Sequence, residues 1–370
     1  MKKVLVFTSQ FGHKSLAEAV VEAFQKAGWQ TETFYHSFEG AGFFYNFTYM
    51  FFPTIFQPIF ELTGKKSLRN VIKRYSKIVK SKEIEAKVRQ YQPDLVVSTY
   101  FLFNYKIEEL KQKHHFKFIN LITDPRTFNL LNLSKKAEAN LAYDPKTKKD
   151  LIAAFKAKPE KIFTTGWLVR ERFYRKSKRK INDKEKMTVL ICGGSLGTGA
   201  ILKFLPLFLN FRKNLKLIII AGKSKLLYQT VKLFEEIVEI QKETTQKTVE
   251  LEVHRFTSRI DRLIAEADLV AGKAGPNLLF ETVAAGKPFL ALTHIHGQEN
   301  GNLEIIQEKG LGWVAETTKE AKLILAKIAS DPEFLAQKVE TVLKEREINL
   351  QSAEKMVAIA ERLVNSQVDK

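Results

Sequence analysis

Thr188-Val189-Leu190-Ile191-Cys192-Gly193-Gly194-Ser195-Leu196-Gly197-Thr198-Gly199 decides the fold. Its first five residues form a short apolar run that glycine ends, the mark of a strand buried on both faces of a parallel sheet. The loop holds four glycines and leads into an apolar helix. Glycines let backbone approach a phosphate, and a helix N-terminus offers N–H donors with a partial positive charge. The same glycines could serve packing alone. The loop is no P-loop, lacking Gly-Lys-Ser/Thr, and no strict dinucleotide fingerprint.

Downstream, strands are expected at Lys216–Ile220, Glu250–Arg255, Asp268–Ala271, Pro288–Ala291 and Gly312–Val314. Upstream, the same plan opens with a strand over Lys3–Thr8, a small loop to His13, and a helix marked by Leu16, Ala19, Val20, Ala23 and Phe24. Further strands are expected near Thr31–Tyr35, Asp94–Ser98, Phe116–Ile122, Ala139–Tyr143 and Lys161–Thr164. Strands alternating with helices predict a doubly wound α/β sheet, here built twice. The expected division is 1–170, a basic linker 171–186, 187–345, and a C-terminal helical segment 346–370 long enough to fold back on the first domain. The stretch Arg170–Lys186 holds nine basic residues.

The chain has 370 residues, a formal net charge of +19 and one cysteine, Cys192. A single cysteine excludes an internal disulfide and a cysteine-based zinc site. The opening MKKVLVFTSQFG has too short an apolar run for a secretory signal, so a cytoplasmic setting is expected. The charge is uneven: residues 1–186 carry 36 Lys/Arg against 18 Asp/Glu, the rest 24 against 23. The first half is therefore expected to meet something anionic: a membrane surface, a nucleic acid or an acidic substrate.

Gly40–Phe60 has no charge, yet Pro53, Pro58, Asn46 and Gln57 argue against a membrane span. From Phe34 to Phe60 there are nine Phe and three Tyr. Aromatics such as Phe43, Phe44, Phe51 and Phe52 suit the lipid headgroup interface. Lys65, Lys66, Arg69 and Lys73 open the polybasic run that follows. Together they describe a peripheral membrane anchor, although the same residues could form a packed core and a solvated face. No nucleic-acid-binding motif accompanies them, so none is expected as a partner.

A second strand-to-helix turn, Ala271-Gly272-Lys273-Ala274-Gly275-Pro276-Asn277, precedes Glu281, Gly286 and Pro288; Gly297-Gln298-Glu299 with Gly301-Asn302 follows. This run resembles the nucleotide-sugar half of glycosyltransferase family 28. The family includes monogalactosyldiacylglycerol synthase, processive diacylglycerol glucosyltransferases and the lipid II-forming N-acetylglucosaminyltransferase. Lys-Ala-Gly-Pro with Gly-Gln-Glu-x-Gly-Asn is closest to the diacylglycerol branch. The likeness extends to Gly12-His13, Thr123-Asp124, Gly166 to Phe173, and Gly193-Gly194.

The resemblance implies a GT-B fold, two Rossmann-like domains with a cleft between them. It implies a UDP-sugar held by the second half and a lipid acceptor by the first, on the inner face of the cell membrane. His13 would be the base of an inverting displacement, with Gly12 and Asp124 on the acceptor side. Gly194, Ser195, Gly275 and Arg170 would line the diphosphate, Glu281 the ribose, Phe256 and Thr257 the base, and Gln298 and Glu299 the donor sugar. Asp-x-Asp is absent from the sequence, so no metal and no further cofactor are expected. Alternatives are a lipid II-type UDP-GlcNAc transferase, a soluble UDP-sugar 2-epimerase, and a non-catalytic nucleotide-binding relative. The sequence departs from the family at Gln10-Phe11, at Pro276-Asn277-Leu278, at Gly166-Trp167-Leu168-Val169, and at Phe128 and Asn129.

Overall fold

Two six-stranded parallel sheets organise the chain. The computed structural model describes residues 1–10, 12–36, 70, 74, 81–127, 130–175, 186–194, 199–209, 211, 214–242 and 249–366. The membrane candidates Phe43, Phe44, Phe51, Phe52, Lys65, Lys66, Arg69 and Lys73 lie outside these residues, as does Ser195. Among the described residues, no helix is long and apolar enough to cross a membrane.

The first sheet runs β1 (Lys3–Thr8), α1 (Gly12–Lys26), β2 (Gln30–Tyr35), α2 (Ser81–Tyr91), β3 (Leu95–Ser98), α3 (Phe101–Leu110), β4 (Lys117–Leu121), β5 (Ala139–Ala142), α4 (Pro145–Phe155) and β6 (Ile162–Thr164). Its spatial order is β2-β1-β3-β4-β5-β6. The order reverses between β1 and β3, where Phe7 pairs with Ser98. Val4 to Phe7 and Leu95 to Val97 are fully buried, as covering helices on both faces require. Edge strand β2 reads QTETFY and is at most half-buried, so its polar residues meet solvent. On α1, Leu16, Ala19, Val20, Ala23 and Phe24 all turn inward.

The second sheet follows with β7 (Lys186–Cys192), α5 (Leu205–Leu209), β8 (Asn214–Ile220), α6 (Lys225–Lys242), β9 (Val249–His254), α7 (Ile260–Glu266), β10 (Leu269–Lys273), α8 (Pro276–Ala284), β11 (Phe289–Thr293), α9 (Asn300–Glu308), β12 (Gly312–Val314), α10 (Thr318–Ser330) and α11 (Pro332–Leu350). Its order, β12-β11-β10-β7-β8-β9, reverses between β7 and β10. There the strands run so close that a Cβ on Gly272 would meet the Cys192 carbonyl, its carbon at 2.9 Å. Only glycine fits. The apolar helix expected after the Gly-rich loop is a 3-10 turn, Gly199–Phe204, and then the short α5.

Packing divides the chain into a first unit, Met1–Glu171 with Ile295–Gly301 and Ile348–Lys370, and a second, Arg172–His294 with Asn302–Glu347. The motif segment 295–301 thus packs with the first sheet, whereas the sequence reading grouped it with the second. The last helix, α12 (Ser352–Asn365), packs on α1 and β4. The Trp167 amide donates to Asn349 Oδ1 at 2.9 Å, and Ser352 Oγ donates to the Trp167 carbonyl at 3.0 Å. Gly166, at φ +86°, leaves the room Asn349 takes up: a Cβ would lie 2.9 Å from its Oδ1.

Candidate active site

Ligands of open α/β sheets bind beyond the strand carboxyl ends where the strand order reverses. In the first unit this point lies between β1 and β3, and His13 bridges it. His13 is in the first turn of α1, after Gly12, which is exposed and opens the helix. Its Nδ1 is 2.7 Å from the carbonyl oxygen of Thr99, the residue following β3. A carbonyl only accepts, so Nδ1 carries the proton and Nε2 keeps its lone pair. Thr99 is itself anchored: its amide donates to the Phe7 carbonyl at 3.0 Å and its hydroxyl to Thr8 Oγ1 at 2.9 Å. The Tyr100 ring packs on the imidazole, centroids 4.4 Å apart. Burial lowers the His13 pKa to about 4, and the Thr99 bond pulls the other way. The ring is therefore neutral at pH 7.

Asp124 follows β4 and is half-buried. Its Oδ1 accepts from Gln298 Nε2 at 2.8 Å and its Oδ2 from Asn132 Nδ2 at 3.0 Å. Burial pushes its pKa up to about 6; the hydrogen bonds from Gln298 and Asn132 oppose this, and the nearby Glu299 charge adds to it. Behind Asn132 runs a ladder of buried amides. Asn120 Nδ2 donates to the Asn132 carbonyl at 2.8 Å and to Asn140 Oδ1 at 2.9 Å, while Asn104 Nδ2 donates to Asn120 Oδ1 at 2.9 Å. Asn120 and Asn140 are register partners in β4 and β5. A buried amide is stable only when paired, so the ladder fixes Asp124 from behind.

The loop 123–127 holds the motif segment as well. The Gly301 amide donates to Thr127 Oγ1, and a Cβ on Gly301 would lie 2.9 Å from that of Arg126. Arg126, at φ +61°, pairs with Asp144 at 2.7 Å. Glu299, expected at the donor sugar, closes its own turn: Oε2 accepts the Ile295 amide at 2.8 Å. Arg170, expected at the diphosphate, is buried and donates to Glu18 on α1 at 2.7 Å. Beside α1 runs a groove of about 430 Å³ lined by Thr8, Lys14, Ala17, Glu18, Val21, Glu22, Thr33 and Tyr35.

In the second unit the reversal point is the pair of glycine turns read from sequence. Gly194, at φ +82°, follows β7, and its missing Cβ would lie 3.3 Å from Lys273 Cε. Gly275 is the N-cap of α8 with no side-chain cap, and Pro276 is its first residue. The first-turn N–H groups of α8 thus have no side-chain oxygen from the N-cap. Buried Asn302 pins this turn, donating to the Ala274 carbonyl at 2.7 Å. Glu281 is buried on the second turn of α8. Its charge adds to burial in pushing the Cys192 thiol up to about 12, which leaves that cysteine unreactive. Phe256 is 57% exposed beyond β9, with Lys223 Nζ 5.8 Å from its ring centroid. Thr257 Oγ1 accepts the Arg259 amide at 3.1 Å.

Sequence reasoning singled out His13, Asp124 and Gln298 and missed the groups that hold them: Thr99, Tyr100, Asn132 and the amide ladder. Strand register pairs Asn120 with Asn140, while Asn104 comes from α3 and Asn132 from a 3-10 turn, so no sequence spacing marks the ladder.

Two Rossmann-like units, each with its candidate residues at the reversal point, define the GT-B class. Residues 13–169 match the monogalactosyldiacylglycerol (MGDG) synthase family model, and residues 188–365 match the glycosyltransferase family 28 C-terminal domain. The chain belongs to glycosyltransferase family 28. Monogalactosyldiacylglycerol synthase 1 of Arabidopsis thaliana is 25% identical over 358 residues, covering 88% of this chain and 64% of that protein. The chain thus spans less than two thirds of that relative's length. MurG of Acinetobacter baumannii superposes with a TM-score of 0.63 at 15% identity, covering 97% of this chain and 99% of the other. UDP-GlcNAc 2-epimerase of Neisseria meningitidis, solved with UDP-GlcNAc bound, superposes with a TM-score of 0.61 at 13% identity, covering 96% and 98%. At such identity the superpositions establish the fold.

Proposed function

We propose that the chain is an inverting glycosyltransferase that moves a hexose from a UDP-sugar to the hydroxyl of a membrane lipid, diacylglycerol. The observation that carries this reading is the His13–Thr99 bond, which leaves Nε2 as an acceptor at the reversal point of the first sheet. Nε2 takes the proton of the acceptor hydroxyl as that oxygen attacks the anomeric carbon. The bond from this carbon to the β-phosphate oxygen breaks, UDP leaves with the electron pair, and the configuration inverts. An imidazole with a pKa of about 4 is a weak base. Proton transfer therefore runs late, as attack makes the hydroxyl acidic.

The second unit takes the donor in this reading. Charge grows on the leaving diphosphate, and the N–H groups around Gly194, Ser195 and Gly275 oppose it; Arg170, expected beside them, is committed to Glu18 in the first unit. Glu281 accepts from the ribose hydroxyls, and the base lies by Phe256 and Thr257. Gln298 and Glu299, expected at the donor sugar, belong instead to the first unit, where Asp124 and the Ile295 amide hold them. The lipid acceptor belongs to the first unit in this reading, with Gly12 and Asp124 on the acceptor side. Lys65, Lys66, Arg69 and Lys73, with the aromatics before them, would keep the protein peripheral on an anionic inner leaflet. The mechanism calls for no metal and no cofactor beyond the donor.

UDP release tests the reading. It is expected only when UDP-sugar and diacylglycerol vesicles are present together, with a glycolipid as co-product. UDP release without lipid, or a free epimeric sugar nucleotide, would contradict it.

A further inference from the structure

Helix α3 starts against the usual rule. Its N-cap is Tyr100, in extended backbone at φ −147° and ψ 123°, and the side chain gives the first turn no cap hydrogen bond. Small polar residues are favoured there, because their oxygen accepts a first-turn N–H. Two such residues stand just before it and are engaged elsewhere. Ser98 Oγ donates to the Tyr100 carbonyl at 3.0 Å, and the Thr99 hydroxyl donates to Thr8 Oγ1 at 2.9 Å. Both residues are fully buried. The start of α3 thus carries an aromatic ring where a capping oxygen would stabilise the helix. Departures from local preference of this kind gather at functional sites.

The Tyr100 ring packs on the His13 imidazole, with centroids 4.4 Å apart and planes at 48°. The rings of Phe101 and Phe103 back it, at 5.0 and 6.1 Å. The imidazole is also tied at Nδ1, to the Thr99 carbonyl at 2.7 Å. A single hydrogen bond fixes Nδ1 and leaves the ring free to pivot about it. Nε2, on the far side of the ring, then moves most. A contact on the face of the imidazole stops that pivot. Thr99 and Tyr100 are consecutive, so one short segment after β3 supplies both constraints.

We propose that Tyr100 is a positioning residue for His13: its ring fixes the plane of the imidazole, so that Nε2 points at the acceptor hydroxyl. The role rests on the proton transfer proposed above, in which Nε2 is the base. A misplacement of about 1 Å can cost roughly 100-fold in rate.

Three variants separate positioning from packing. Tyr100→Ala and Tyr100→Ser both remove the ring, but serine supplies the missing cap oxygen, so Tyr100→Ser should melt higher than Tyr100→Ala. Glycolipid formation should fall by about 100-fold in both, with calorimetric UDP affinity unchanged. Nitrogen-15 NMR of the imidazole, assigned against the spectrum of His13→Ala, reads the site without turnover. Loss of the ring uncovers the imidazole, so its midpoint should rise from about 4 toward the ordinary 6.5. Tyr100→Phe keeps the ring and should restore both rate and midpoint. Rates that follow the melting temperatures of the Ala and Ser variants, a wild-type rate in either, or a midpoint that stays near 4 would overturn the proposal. A wild type that forms no glycolipid, with the midpoint shift still present, would sink the proposed transfer and still support Tyr100 as the group that holds the imidazole.

Discussion

Gln298 Nε2 donates to Asp124 Oδ1 at 2.8 Å, across 174 residues of sequence. The bond joins the two motifs that the family resemblance assigns to opposite substrates. Asn132 holds the second carboxylate oxygen, so Asp124 accepts from two amides. Its pKa of about 6, against an ordinary value near 3.8, means the folded chain binds this proton more tightly than the unfolded chain. The stabilisation is full below pH 3.8 and disappears as pH rises through about 6. Wild type should therefore gain melting temperature relative to Asp124→Asn as pH falls from 7.5 to 4.5. His13 titration is common to both and cancels. Parallel melting curves would contradict the assignment.

The His13 tautomer is fixed by the Thr99 carbonyl. Nitrogen-15 NMR should find His13 protonated at Nδ1 and neutral from pH 8 down to about 5, with its midpoint near 4. A midpoint near the ordinary 6.5, or an Nε2–H tautomer, would remove the basis for the proposed proton transfer.

The amide ladder makes a stability prediction. Asn120→Leu strips the partners from Asn104 Nδ2, Asn140 Oδ1 and the Asn132 carbonyl. At about 1–3 kcal/mol for each buried group left unpaired, three such groups give an expected loss of ~3 kcal/mol or more in denaturant unfolding. Asn104→Leu, at the outer end, should cost less. Equal and small losses would show that the ladder carries no weight.

Vesicle binding tests the basic segment. Charge reversal of Lys65, Lys66, Arg69 and Lys73 should weaken sedimentation with anionic vesicles by more than ~100-fold, at about 1 kcal/mol for each lost positive charge. Raising salt should release the wild type as the screening length shortens. Salt-independent binding would point to the aromatics alone.

Much of the fold was legible because buried parallel strands read as unbroken apolar runs. Lys3–Thr8 and Gly312–Val314 have the observed bounds, and most other strands shift by one or two residues. The glycine turns after Cys192 and Lys273 were legible because close strands and open helix ends need glycine. The placement of 295–301 was not legible: sequence proximity grouped it with β11, whereas Gly301 and Gln298 contact the loop after β4.

In the proposed reaction His13 Nε2 accepts the proton of a lipid hydroxyl. Its most direct test is the rate of glycolipid formation by wild type and His13→Ala, with UDP-sugar and diacylglycerol vesicles, beside calorimetric UDP binding. The expected result is a kcat lower by ~100- to 10,000-fold, the range of general-base catalysis, with UDP affinity unchanged. His13→Ala turning over at the wild-type rate would contradict the account.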